Sequence, residues 1–111
     1  MADFFYIKRG DRLPVLTMTL RSSDGRAVNL ATASSVVLRM RERGSTTNAT
    51  IAGTCAVTGS GTGEIEYRWS SGETNSAGTY SGELLVTWGD GRTQTFPSRG
   101  SFEIIIGDSL A

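Results

Sequence analysis

No histidine occurs among the 111 residues, and that absence removes most hydrolytic templates: Ser-His-Asp catalysis, Cys-His pairs, zincin sites and histidine-based zinc sites all need an imidazole. Cysteine occurs once, so no intrachain disulfide can form, and in the setting IAGTCAVTG Cys55 reads as a small buried hydrophobe. An excess of charge is missing too. Eleven basic and eleven acidic residues cancel, so no whole-molecule field draws the chain to nucleic acid or anionic lipid, and neither is expected as a partner. No apolar run approaches the roughly 18–20 residues that span a bilayer. Met1-Ala2-Asp3-Phe4 has neither the basic stretch nor the small-residue cleavage site of a signal peptide, so the expectation is a soluble protein made in the cytosol.

A chain of this length buries one core and makes one domain, residues 1–111. Its 38% hydrophobic content suits a thin sandwich, in which each strand gives one face to the core and one to water, and 14 glycines suit many turns. Periodicity favours strands nearly everywhere. LTMTL (16–20), VVLRMR (36–41) and EIEYRW (64–69) alternate apolar with polar residues. LLVTW (84–88) and FEIII (102–106) are more continuously apolar and read as central strands covered on both sides. Asp-Gly pairs in SDGR (23–26) and GDGR (89–92) predict tight antiparallel hairpins, because such turns need positive φ. SGETNSAG (71–78), with a short helical turn, and RGSTTNAT (43–50) read as longer polar connections, and NLATAS (29–34) as a site for one turn. Pro97 interrupts TQTFPSRGSFEIII, which reads as one edge or bulged strand changing partner near Pro97 to Gly100. The expected fold is an all-β, antiparallel β-sandwich of about seven to nine short strands without a disulfide.

Candidate chemistry is sparse. Glu64, Glu66, Glu73 and Glu83 lie in or beside strands, but Glu64 and Glu66 are more simply the wet face of an alternating strand than a glycosidase pair. Arg9-Gly10-Asp11 sits where the chain turns after a first strand. Asp24 and Asp90 are isolated turn acids, whereas calcium needs several converging oxygens. GSGTGE (59–64) lacks the Lys-Ser/Thr of a phosphate loop. The expectation is therefore no enzyme, no metal and no cofactor.

Binding surfaces are better supplied. DFFYIK places three aromatics in a short span, so the strand carrying Phe4, Tyr6 and Lys8 is the first choice for a docking edge. Arg39, Arg41 and Arg43 alternate along one strand as a basic stripe, a solvated face or a protein interface. Trp88 ends an apolar strand at the core or its rim. Trp69 is either core or an exposed anchor, with Arg99 in a nearby candidate loop.

The order EIEYRW, polar loop, AGTYSG, apolar strand resembles the E strand, E–F corner and F strand of an immunoglobulin-like sandwich. In that resemblance Tyr80 matches the tyrosine corner and Gly78 the glycine two residues before it, with Leu84, Val86 and Trp88 in the strand that follows. Ala77 stands where the usual acid would be, Gly82 replaces the second cysteine, and no tryptophan occupies 36–41, so an antibody-type domain is not expected. IKRGDRLPVLTMTL, DGRAVNL, VVLRMRERG and the run GEIEYRWSSGETNSAGTYSGELLVTWGDGRTQTFPSRGSFEIII together resemble the immunoglobulin-like virion domains of tailed bacteriophages, such as the N-terminal domain of baseplate upper proteins. The resemblance covers nearly the whole chain. It implies a non-enzymatic virion component, a tail or baseplate adaptor or a head decoration subunit, made in the host cytoplasm and contacting other virion proteins in several symmetric copies. Baseplate examples continue into a receptor-binding or coiled-coil region; with the sequence ending at Ala111, the expectation is a standalone structural or decoration subunit. The alternative is a module gripping a host surface protein or glycan through Trp69 and the 71–78 loop.

If Tyr80 carries the corner, Tyr80→Phe lowers the unfolding free energy by about 1 kcal/mol in urea denaturation, the worth of one buried hydroxyl donor. An unchanged midpoint would remove the assignment.

Overall fold

A computed structural model describes residues 4–22, 24–44, 51–97, 102–108 and 110. Among them nine strands follow one another as β1 (Phe4–Lys8), β2 (Leu16–Thr19), β3 (Ala33–Glu42), β4 (Ile51–Thr54), β5 (Ala56–Gly59), β6 (Glu64–Tyr67), β7 (Gly78–Trp88), β8 (Thr93–Phe96) and β9 (Phe102–Gly107), with no helix among the described residues. The larger sheet has the order β1-β9-β7-β3-β4, with β8 also paired to β7; the smaller has the order β2-β6-β5. The alternating segments supply β2, β3 and β6, because an alternating pattern buries one face of a sheet and wets the other. Both sheets contribute to one apolar cluster, Leu16, Ile65, Tyr67 and Trp69 from one side meeting Val36, Leu38, Leu84, Val86, Phe102 and Ile104 from the other. The result is an all-β arrangement of two layers, the layout of a β-sandwich.

Both Asp-Gly turns form. After Trp88 the amide of Gly91 donates to Trp88 O at 2.9 Å and that of Trp88 to Arg92 O at 2.8 Å, with Gly91 at a φ of 89° that the turn requires. The earlier turn is closed by Ser22 N to Arg26 O at 2.8 Å and flanked by a single Arg21–Ala27 bridge. A turn follows Leu30, whose carbonyl accepts from Ala33 N, and the 71–74 segment forms hydrogen-bonded turns, Glu73 N donating to Ser70 O at 3.1 Å, without the short helical turn expected of it. Arg43 and Gly44 begin the other polar connection, whose residues 45–50 lie outside the described ones.

Three features differ from the sequence reading. The sandwich is not wholly antiparallel: β1 runs parallel to β9, Phe4 beside Glu103 through Lys8 beside Gly107. The chain does not change partner at Pro97. β8 and β9 lie end to end on the same side of β7, Phe96 beside Leu84 and Phe102 beside Gly82. Proline has no N–H to continue the ladder, so the strand breaks there and resumes on the same partner. Finally, β7 and β9 are central yet covered on one face only, since buried and half-buried residues alternate from Thr79 to Thr87 and along all of β9. Their outward Thr79, Ser81, Glu83 and Leu85 are half-shielded by neighbouring strands in the same sheet.

Gly82 shows how the core does without a disulfide. A Cβ there would lie 2.7 Å from Phe102 Cζ and 3.2 Å from Ile104 Cδ1, so the Phe102 ring fills the space a side chain would take. The chain crosses from one sheet to the other between β4 and β5 at buried Cys55, whose amide donates to Val36 O at 2.7 Å.

Gly82→Ala therefore overpacks the core and costs about 1–3 kcal/mol in urea denaturation. Gly61→Ala, where a Cβ meets nothing within 4 Å, leaves the midpoint in place. Equal midpoints would mean that the Phe102 ring is not held against the strand.

Candidate docking surface

The chain leaves β1 through a pinned turn. Arg9 N donates to Gly107 O at 2.7 Å, Gly10 N to Thr74 O at 3.0 Å and Asp11 N to Lys8 O at 3.0 Å, and buried Thr74 donates its hydroxyl to Asp11 O at 2.7 Å. Arg9-Gly10-Asp11 is thus a structural turn, held by the 70–75 loop. It leaves β1 at the end of the larger sheet, with no strand on its far side among the described residues.

Because β1 alternates, Phe5 and Ile7 face inward and Phe4, Tyr6 and Lys8 face outward. Phe4 is 53% exposed and Tyr6 63%, and their rings stack with centroids 6.3 Å apart. Half-buried Ile105 lies beside Tyr6, and Leu13, 73% exposed, lines the same cleft as Tyr6, Lys8 and Pro14.

Register places Arg39 and Arg41 on the same outward face. Phe4, Glu103, Ser81 and Arg41 form one row across β1, β9, β7 and β3, and Arg39 lies opposite Glu83. Two of the three arginines of the stripe have acidic partners: Arg39 pairs with Glu83, opposite it on β7, at 2.8 Å, and Arg43, in the turn after β3, pairs with Glu103 of β9 at 2.9 Å. Arg41 is exposed in the same row. The face therefore has an aromatic end at β1 and a charge-balanced end at β3.

Trp69 is corrected more sharply. It is 2% exposed, stands edge-on to Tyr67 with centroids 5.2 Å apart and lies against Phe5, so it is no surface anchor. Period-two alternation carried through EIEYRW puts Trp69 on the face of Ile65 and Tyr67, a signal that could have placed it. Arg99 lies outside the described residues. Trp88 is half-buried at the core rim, and Leu84 and Val86 are fully buried. Gly78 opens β7 against the Tyr80 ring, and the Tyr80 hydroxyl donates to Ser76 O at 2.8 Å.

The four glutamates each have a local partner: Glu64 with Thr62 at 2.8 Å, Glu66 with Arg68 at 2.7 Å, Glu73 with the Tyr67 hydroxyl at 2.8 Å, and Glu83 with Arg39. Glu73 also accepts from Ser70 N at 2.7 Å, tying the loop to the core through a link the sequence did not suggest. Among the described residues no three His, Cys, Asp or Glu side chains are grouped to hold a metal. No protein-family model matches the chain, and no curated protein matches it.

Burial pushes the Cys55 thiol from an ordinary 9.0 up to about 12. Burial raises the Tyr67 hydroxyl, aided by its bond to Glu73, and raises Tyr80, aided by the charge of Glu42. All three are neutral acids whose folded pKa exceeds the unfolded one, so their contribution to stability is complete below the unfolded value and is lost as pH rises through the folded one. The urea midpoint should hold steady up to pH 9.0 and fall between there and about 12. A thiol reagent should label Cys55 in urea but not in native buffer at neutral pH; rapid native labelling would contradict its burial.

Proposed function

We propose that the chain is a non-enzymatic structural component of a tailed-phage virion, an immunoglobulin-like sandwich that docks on other virion proteins through the outward face at β1. The observation that carries the docking is the stacked, exposed Phe4–Tyr6 pair on a strand with an open edge. Exposed aromatics concentrate binding energy, and an uncovered edge strand offers main-chain groups to a partner. The immunoglobulin-like assignment is supported by strand order: β2-β6-β5 follows the B-E-D order of such domains, and β9-β7-β3-β4 the G-F-C order with an added strand. The Tyr80 bond to Ser76 O, at the start of the strand corresponding to F, has the form of a tyrosine corner. The phage assignment rests on the ordered motifs of the sequence. An adaptor of tail or baseplate and a head decoration subunit share this chemistry, and symmetric copies suit either.

Gradient-purified particles of the encoding phage should contain the chain at a copy number matching the symmetry of head or tail, read by mass spectrometry against the capsid and tail-tube proteins. Phe4→Ser with Tyr6→Ser should abolish its incorporation while changing stability by no more than about 0.5 kcal/mol, as for other exposed positions. Particles without the chain would overturn the virion reading. Particles that incorporate the double variant normally would overturn the docking face.

A further inference from the structure

At the opposite end of β7 from Tyr80, three loops converge: Leu20 N donates to Gly63 O at 2.7 Å, Leu30 N to Ser60 O at 2.7 Å and Gly89 N to Thr32 O at 2.8 Å. Beside them opens a cleft of about 830 Å³, within the range of small-molecule sites, lined by Thr32, Trp88, Asp90, Arg92, Thr93 and Gln94. Trp88 occupies the last inward position of β7, after Leu84 and Val86, with small Ala33 beside it on β3, and the half-buried indole lines the cleft. Gln94 lies beside Val86 and shares its face, yet Val86 is fully buried and Gln94 exposed. Here the inward face of the sheet outruns its core and turns polar, which packing alone does not call for.

The rim carries an internal ion pair. Asp90 accepts from Arg92 N at 3.0 Å through Oδ1 and from Arg92 Nε at 2.8 Å through Oδ2, with Arg92 Nη2 also 2.8 Å from Oδ2. The pair is exposed and electrically neutral, and part of the guanidinium fork remains for a ligand. These bonds hold the Asp90 carboxyl below its ordinary value, so it is an acceptor at neutral pH. An aromatic plane ringed by a carboxylate, a guanidinium, an amide and threonine hydroxyls suits a ligand with one apolar C–H face and a rim of hydroxyls that both donate and accept. Asp90 opposes a phosphate or carboxylate, and a wholly apolar ligand would leave the rim unpaired.

We infer that this cleft is a subsite for a neutral saccharide, its ring stacked on Trp88 and its hydroxyls held by Asp90, Arg92 and Gln94. The site shares no residue with the β1 docking face, so either stands if the other fails. It also takes the place of the anchor that the sequence suggested at Trp69, which is buried.

The chain has two tryptophans, and their indole N–H signals separate the two ends of the domain. The ¹⁵N-labelled full chain is titrated with methyl glucoside, methyl mannoside, methyl galactoside and the N-acetylglucosamine trimer, with sialyllactose as the acidic comparison. At least one neutral probe should shift the Trp88 signal saturably, with a Kd of about 0.1–10 mM, while Trp69 stays still. Gln94→Ala and Arg92→Ala, both at exposed positions, should each weaken that binding about tenfold, or by about 1.4 kcal/mol, at unchanged melting temperature. Trp88→Phe, which keeps an aromatic plane and spares the rim from truncation, should retain measurable binding. No Trp88 shift by any neutral probe at about 20 mM would overturn the subsite, as would a shift indifferent to both rim variants or one caused by sialyllactose alone.

Discussion

The eleven residues of β7 are the constraint on which the rest of the molecule depends. On one side β7 pairs with β3 from Tyr80 to Trp88; on the other it carries β9 beside its first half and β8 beside its second. Its inward positions run Tyr80, Gly82, Leu84, Val86, Trp88, and each does a different job. Tyr80 ties the strand to the loop before it, Gly82 admits the Phe102 ring, Leu84 and Val86 fill the centre, and Trp88 closes the rim. A shift of one residue would turn this whole set outward, so the register of the larger sheet is strongly specified.

The two layers are joined by packing rather than by a covalent bridge. Phe102 over Gly82 and Trp69 against Tyr67 occupy the middle of the sandwich, and Tyr67 also reaches across to β4, where Gly53 gives way to it: a Cβ on Gly53 would lie 2.5 Å from the Tyr67 ring. The Tyr67 hydroxyl then meets Glu73, so one side chain links the smaller sheet, the larger sheet and the loop that pins the turn after β1. Aromatic residues suit this work because each buries a large area while keeping a polar handle for a loop.

Strands with strict alternation and turns with an Asp-Gly pair were legible in the sequence, because both signals are local. LTMTL, VVLRMR and EIEYRW became β2, β3 and β6, and GDGR became the β7–β8 hairpin. What is set by strand pairing was not legible. Neither the parallel pairing of β1 with β9 nor the return of the chain to β7 after Pro97 leaves a mark within a short window of residues. The acidic partners of the arginine stripe were not legible for the same reason: Glu83 and Glu103 meet Arg39 and Arg43 from strands far away in sequence. The outward Phe4 and Tyr6 were legible, since alternation alone assigns them one face, whereas Trp69 was left open only because its alternation continues past the end of β6.

The charge balance of the outward face bears on what that face can bind. With Arg39 and Arg43 paired to half-buried acids, these two cations offer little net field to steer a partner, and specificity falls to shape and to the aromatic end at β1. The other side of the domain is treated differently: β4 and β5 are successive lengths of one chain crossing between the sheets at Cys55, which joins two edge strands through a single buried residue. On the β1 side the crossing to β2, the edge of the smaller sheet, takes the longer turn of residues 9–15. Edge strands are commonly kept from unwanted pairing by charge, proline or brevity, and on β1 that protection amounts to Lys8 and five residues of length beside two exposed rings. Such an edge is a liability for a free chain and a resource for one covered by a partner, which is why the docking proposed above is placed there.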